Sequence, residues 1–276
     1  MTAFATTQPP FLFHAGTAPL LISFPHAGTH VPEALAARLT PKARQVPDTD
    51  WHLPILYGFA RAMGASLLVA THSRYVIDLN RPPDGASLYP GRSVTALCPV
   101  DDFDGERIYL QAADEPAEAE IAARREAVWQ PYHAKLAEEL ARIRAAHGVA
   151  MLWDAHSIRS VLPRFFEGRL PDLNLGTADG ASCAPALAGE LLDIAREAPG
   201  FSAVLNGRFK GGHITRAHGC PAEGVHAVQL EMTQCSYMQE ALPFDYLPER
   251  AARIQPTLER LLRATLDFAG RHIDRS

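Results

Sequence analysis

Val149-Ala150-Met151-Leu152-Trp153-Asp154-Ala155-His156-Ser157 is the stretch that decides the architecture. Its first five residues are all apolar and read as a continuous buried strand. The run ends in an aspartate, a histidine and a serine, groups that carry chemistry. Just before it, Ile121, Val128, Trp129, Tyr132, Leu136, Leu140 and Ile143 recur at three- and four-residue spacing. That spacing predicts a helix over Glu118 to Ala146, closed by His147-Gly148. Pro131 lies inside this span, which predicts a break or kink and two helices.

The same alternation extends in both directions. Upstream, Pro19 to Phe24 reads as a buried strand that stops at Pro25-His26-Ala27-Gly28-Thr29-His30. A helix is expected from about Pro32. Another is expected from Trp51 to about Met63, capped by Asp48-Thr49-Asp50 and ended by Gly64. Ser66 to Thr71 is the next strand. Tyr75 to Leu79, rich in β-branched and aromatic residues and stopped by Pro82-Pro83, reads as another. Downstream, loop is expected to about Ser182, then a helix from Pro185 to Arg196 and a strand from Phe201 to Leu205. A glycine-rich turn region follows over Gly207 to Gly219, a strand over Val225 to Thr233 and a closing helix from Pro248 to about His272. Strands alternating with helices predict one α/β domain with a mixed, mainly parallel central sheet flanked by helices. Residues 1–15 stand as an N-terminal segment. Residues 82–114 are rich in Pro, Gly and Asp, and a loop of that length is expected to wall an active site.

Composition narrows the function. The 276 residues are 47% hydrophobic and 21% charged, with a formal net charge of -5 and acids and bases interspersed. That balance gives no electrostatic case for nucleic acid or an anionic membrane. No apolar run approaches the roughly 20 residues of a membrane span, and Met1 to Pro10 lacks the pattern of a signal peptide. Cys98, Cys183, Cys220 and Cys235 show no CxxC spacing and read as reduced thiols of a cytoplasmic protein.

Three expected strand ends present metal-capable groups, His26, His156 and Glu231, and Asp50 opens a helix. A catalytic zinc site takes about three His, Asp or Glu ligands and leaves a position open. Gly28 would let the backbone pass closely around such a site. Asp154 lies two residues before His156 on the same strand face, placed either to orient that ring or to ligate. A buried Glu231 beside an activated water would be a natural general base. Arg74, Asn80 and Arg81 gather two guanidiniums and an amide around one segment, which suits a small anionic substrate. His30 is a weaker ligand candidate, because Gly28 and Pro32 argue against a helix joining it to His26. His14, His72, His133, His147 and His272 read as ordinary structural histidines. There is no GxSxG elbow, Walker loop or GxGxxG, and Lys210-Gly211-Gly212 suits a substrate-contacting turn better than a phosphate cradle.

In order, six segments resemble the N-formylglutamate amidohydrolase family. They are Ser23-Phe24-Pro25-His26-Ala27-Gly28-Thr29, Asp48-Thr49-Asp50-Trp51-His52, Arg74 to Arg81, Trp153 to Ser157, Phe209 to Arg216, and His226 to Glu231. They span about Pro19 to Tyr237. That family is in turn similar to zinc carboxypeptidases and aspartoacylase. The resemblance implies hydrolysis of N-formyl-L-glutamate to formate and L-glutamate, the last step of a histidine degradation route. It implies one divalent ion, zinc first, with cobalt, nickel or manganese as alternatives. His26 and His156 would be ligands, Glu231 the general base and Arg74 the group that polarises the scissile carbonyl. Asn80 and Arg81 would grip one carboxylate of a small dicarboxylate substrate, with Lys210, His213, Thr215 or Arg216 toward the other. The carboxypeptidases place a ligating Glu three residues after the first His, where this chain has Thr29. A third ligand must come from elsewhere, and the resemblance points to Asp50, in the Asp48-Thr49-Asp50-Trp51-His52 stretch shared with the family, with His30 and His52 as the alternatives. The competing readings are an N-acyl-amino-acid deacylase or small carboxypeptidase of the same fold, and a non-catalytic anion-binding protein.

Overall fold

The computed structural model describes residue 4, residues 6–86 and residues 95–273. Among them seven strands form one sheet: β1 (Phe11–His14), β2 (Leu20–Phe24), β3 (Ser66–Ala70), β4 (Ala150–Ile158), β5 (Leu173–Gly176), β6 (Ala203–Leu205) and β7 (Val225–Thr233). Their spatial order is β1-β3-β2-β4-β7-β5-β6. The β3-β2-β4-β7 core is parallel throughout, whereas β1 joins β3 and β5 joins β7 antiparallel. The mixed, mainly parallel α/β sheet expected from the alternation is the one the chain forms.

Alternation along each central strand sorts the side chains into two layers. Leu20, Ile22 and Phe24 of β2, with Met151 and Trp153 of β4 and Val228 and Leu230 of β7, face one core. Helices α5 (Pro185–Arg196) and α7 (Pro248–Ile273) cover it with Leu187, Leu191, Leu258 and Leu262. Leu21, Leu152 and Ala227 face the other core, filled by Tyr132, Leu136 and Ile143. On this second face Asp154 and His156 of β4 and Gln229 and Glu231 of β7 gather toward the C-terminal strand ends. That is where parallel sheets assemble sites.

The helix expected over Glu118 to Ala146 is one rod: α3 (Glu118–Arg124), a π-helical turn over Arg125–Trp129, and α4 (Gln130–His147). The wider turn falls immediately before Pro131 and absorbs the missing backbone donor, in place of a clean break.

Several expectations are corrected. Tyr75 to Leu79 is buried but is no strand. Its backbone groups find other partners: Asp78 N–H donates to Leu97 O, Arg124 donates to Val76 O, and His133 Nε2 donates to Leu79 O. β-branched composition reports burial, and here side chains satisfy the backbone in place of a ladder. The helix over Trp51 to Met63 shrinks to α2 (Leu53–Leu56) and a 3₁₀ turn over Gly58–Arg61. Asp48 and Asp50 are not its caps, since their carboxylates are engaged elsewhere and His52 sits at φ 60°. The helix from Pro32 is a single turn, α1 (Glu33–Ala36). β5 lies inside the span expected as loop, β1 lies inside the N-terminal segment, and α6 (His213–His218) lies inside the glycine-rich turn. Of the long segment 82–114, residues 87–94 lie outside the described residues.

Candidate metal centre and catalytic cleft

β2 ends at Phe24, and two residues later His26 enters the site. The chain then doubles back so closely that a Cβ on Gly28 would overlap the backbone of Thr71 and His72. This is a close approach that glycine alone permits. Asp50 is fixed beside His26 through its own backbone, its N–H donating to His26 O at 3.0 Å. His156 arrives on β4. Among the described residues, His26, Asp50 and His156 form a buried group whose ligand-capable atoms all lie within 4.8 Å of one another.

Each imidazole is anchored from behind. His26 Nε2 donates to Asp78 Oδ1 at 2.7 Å, which leaves the Nδ1 lone pair toward Asp50, 3.7 Å from its Oδ2. His156 Nε2 donates to Asp154 Oδ2 at 3.0 Å, and its Nδ1 lies 3.0 Å from Asp50 Oδ2. Asp154 is thus the orienting partner of His156. Two buried rings, each with its far nitrogen tied to a carboxylate and its near nitrogen aimed at a third carboxylate, fit the donor set of a divalent ion. His30 packs against His72, and His52 Nε2 bonds Phe244 O at 2.7 Å, so neither joins the group.

Asn80 braces this arrangement. Its Nδ2 donates to Asp154 Oδ2 at 3.2 Å and lies 2.9 Å from His156 Nε2, while its Oδ1 accepts from Ile214 N–H at 2.8 Å. Gln229 Oε1 accepts from Gly212 N–H at 2.7 Å, which draws the glycine-rich turn onto the same spot.

Glu231 stands beside His156 on the neighbouring strand, with only 7% of its surface exposed. Burial pushes its carboxyl up to about 8, with the Asp50 charge adding to the rise and His156 and Arg74 opposing it. For Asp50, burial favours the neutral acid, but hydrogen bonds to His156 and His26 outweigh it and hold the group below the ordinary range. Burial likewise opposes a charge on His156, yet the flanking Asp154 and Asp50 carboxylates hold its pKa well above that of a free imidazole. Arg74 is buried, with its guanidinium against His26 Nδ1, 3.6 Å from Asp78 Oδ2 and stacked 4.8 Å from the Phe103 ring centre.

These groups line one cleft of about 610 Å³, its open mouth included, together with Arg81, Arg208, Phe165 and Phe209. The other residues singled out in the glycine-rich turn do not line it. Lys210 pairs with Asp179 at 2.9 Å, Thr215 is buried, Arg216 Nε donates to Gly211 O, and His213 packs on Trp129 and His133. Asp78 and Arg208 were missed from the sequence. Asp78 carried a signal, since a lone acid amid Val76, Ile77 and Leu79 is costly to bury without a purpose.

Comparison with known proteins agrees with this geometry. The family model described as N-formylglutamate amidohydrolase matches residues 18–238. An N-formylglutamate deformylase of Pseudomonas putida is 51% identical over 263 residues, covering 95% of this chain and 98% of that protein. One from Pseudomonas aeruginosa is 52% identical over 254 residues, covering 92% and 95%. The crystal structure of N-formylglutamate amidohydrolase from Ralstonia eutropha JMP134 superposes with a TM-score of 0.79 at 26% identity, over 97% of this chain and 99% of that one. A strand-end cluster of this composition, in a chain matched over most of its length, leaves one conclusion: the protein belongs to the N-formylglutamate amidohydrolase family.

Proposed function

We propose that the chain hydrolyses N-formyl-L-glutamate to formate and L-glutamate, using a divalent cation, zinc by its donor set, held by His26, Asp50 and His156. The observation that carries this reading is the convergence of that group, the buried acid Glu231 and the guanidiniums of Arg74 and Arg81 on one cleft. When bound, the cation supplies Lewis acidity that acidifies water and polarises the formyl carbonyl.

The protein groups do the rest. Glu231 takes a proton from the attacking water and returns it to the amine as the C–N bond breaks. A carboxyl whose affinity for protons is raised by burial is suited to both steps. Arg74, held by Asp78 and Phe103, offers its guanidinium to the oxygen that gains charge. Arg81 is oriented by Thr95 O and Thr95 Oγ1, each at 3.0 Å, and holds a carboxylate of the substrate. Asn80, whose amide is engaged by protein groups, serves to set His156 in place. Phe103, Phe165 and Phe209 give the cleft apolar walls that exclude water.

The test is formate release from N-formylglutamate before and after chelation, with elemental analysis of the purified protein and N-acetylaspartate and N-acetylglutamate as competitors. Release that depends on the metal and favours the formyl substrate is expected. No formate above the metal-free blank rejects the reading.

A further inference from the structure

We infer that Arg208 is the residue that selects the substrate's second carboxylate, a specificity role resting on the hydrolysis proposed above. N-formylglutamate carries two carboxylates separated by the α-carbon and two methylenes, and a cleft that distinguishes it from an analogue lacking the side-chain charge must meet both. Among the described residues, three arginines line the cleft: Arg74, Arg81 and Arg208. Arg74 is committed to the reacting end, against His26 and Asp78. Arg81 takes one carboxylate and is fixed for it by Thr95. Lys210 and Arg216 lie in the glycine-rich turn without lining the cleft, so among the described residues the second charge falls to Arg208.

The local structure prepares Arg208 for that role. It follows β6 at the sheet edge, and its Nε donates to Phe165 O at 2.6 Å, which fixes the plane of the guanidinium. Its Cζ lies 5.2 Å from the Phe209 ring centre. An arginine held through Nε and laid on an aromatic face is a preorganised fork for a carboxylate. Phe165 and Phe209 also supply apolar surface for the two methylenes. The distance between reacting carbon and second carboxylate is thereby read together with the charge.

The experiment compares kcat/KM for N-formylglutamate and for N-formylglutamine, its isostere that keeps the α-carboxylate and replaces the side-chain carboxylate by a neutral amide, in the metal-loaded wild type, Arg208→Met and Arg208→Lys. Arg208→Gln replaces the Met variant if that fails to fold by circular dichroism. Removing the guanidinium is expected to lower kcat/KM for N-formylglutamate about 10²-fold, mainly through KM. The rate on N-formylglutamine should change by no more than a few-fold, and Arg208→Lys should recover part of the loss. Equal losses on both substrates, or a preserved preference for N-formylglutamate, overturn the assignment while hydrolysis by the wild type stands. A wild type that releases no formate removes the hydrolysis reading itself.

Discussion

His156 on β4 and Glu231 on β7 are direct register partners in two parallel strands, so the proposed ligand and the proposed base project from one face at one level. Asp154 and Gln229 are partners two residues earlier in the same ladder. A four-residue square on a rigid sheet therefore carries the orienting carboxylate, the ring, the amide and the acid. Glu231→Gln keeps the shape of this square and removes the base. Turnover should fall by about 10²–10⁴ with the metal content unchanged by elemental analysis. Full activity in that variant would refute the assigned base.

As the proposed base, the same carboxyl is expected to set the acid limb of the rate profile. In that role Glu231 must be ionised, so kcat/KM should rise with pH through its working pKa and fall tenfold per unit below it. Burial lifts that pKa from 4.5 to about 8, and a cation in the adjoining site draws it back down. The limb is therefore expected between those two values, read from kcat/KM against pH with metal held saturating. A profile flat down to pH 4.5 would show that another group takes the proton.

Asp78 and Asp154 hold the far nitrogens of the two histidines. Asp78→Asn and Asp154→Asn should each weaken metal binding by about 10–100-fold, since such partners fix ring orientation and basicity. Chelator-competition titration measures this directly. The variants should recover activity at high metal concentration, which loss of a ligand itself would not allow.

Gly212 and Asn80 are in such close contact that a Cβ on Gly212 would overlap the Asn80 amide. Gly212 sits at φ −84°, so the cost of a side chain there is steric and not conformational. Gly212→Ala should destabilise by roughly 1–3 kcal/mol and displace Asn80 from Asp154 and His156. Thermal unfolding and kcat are the readouts. With Asn80→Ala the two effects should be strongly non-additive, because both act on one contact.

How much of this was legible in the residues depends on where the information sits. β4, β7 and α5 were readable because long apolar runs or 3.6-residue spacing mark them locally, and the site groups at the ends of β2, β4 and β7 came with them. Asp50 was readable as the third ligand only through the resemblance. Locally it looks like a helix cap, and the bond from its N–H to His26 O that repurposes it spans 24 positions. The Tyr75 to Leu79 segment misled for a related reason. Its residues are as buried as a strand's, but the groups that replace a ladder come from Leu97, Arg124 and His133, far along the chain. Arg208 was passed over for Lys210, two residues away, because nothing in Gly207 to Gly212 says which side chain turns inward.

Acid should destabilise the fold through histidines outside the site. Burial lowers the pKa of His133 from 6.5 to about 3, partly offset by its bond to Leu79 O, and burial lowers His72 and His218 to about 4. Below pH 6.5 the unfolded chain takes up protons that these folded rings refuse. Their contribution is complete above 6.5 and is lost as pH falls toward their folded values. For His133 the slope approaches about 1.4 kcal/mol per pH unit. Asp48 acts in the opposite sense between 3.8 and about 6, because burial keeps its acid protonated in the fold. His156, with its pKa raised, adds no slope below 6.5, since both states then hold its proton. Glu231, lifted from 4.5 to about 8, opposes the loss as Asp48 does, but three histidines against two acids still leave a net loss of stability on acidification from pH 6.5 to 4. Urea unfolding at fixed pH values in the presence of chelator should show it. His133→Gln, whose Nε2 keeps a donor for Leu79 O, should flatten the slope across that window, and an unchanged slope would show that His133 titrates normally in the fold.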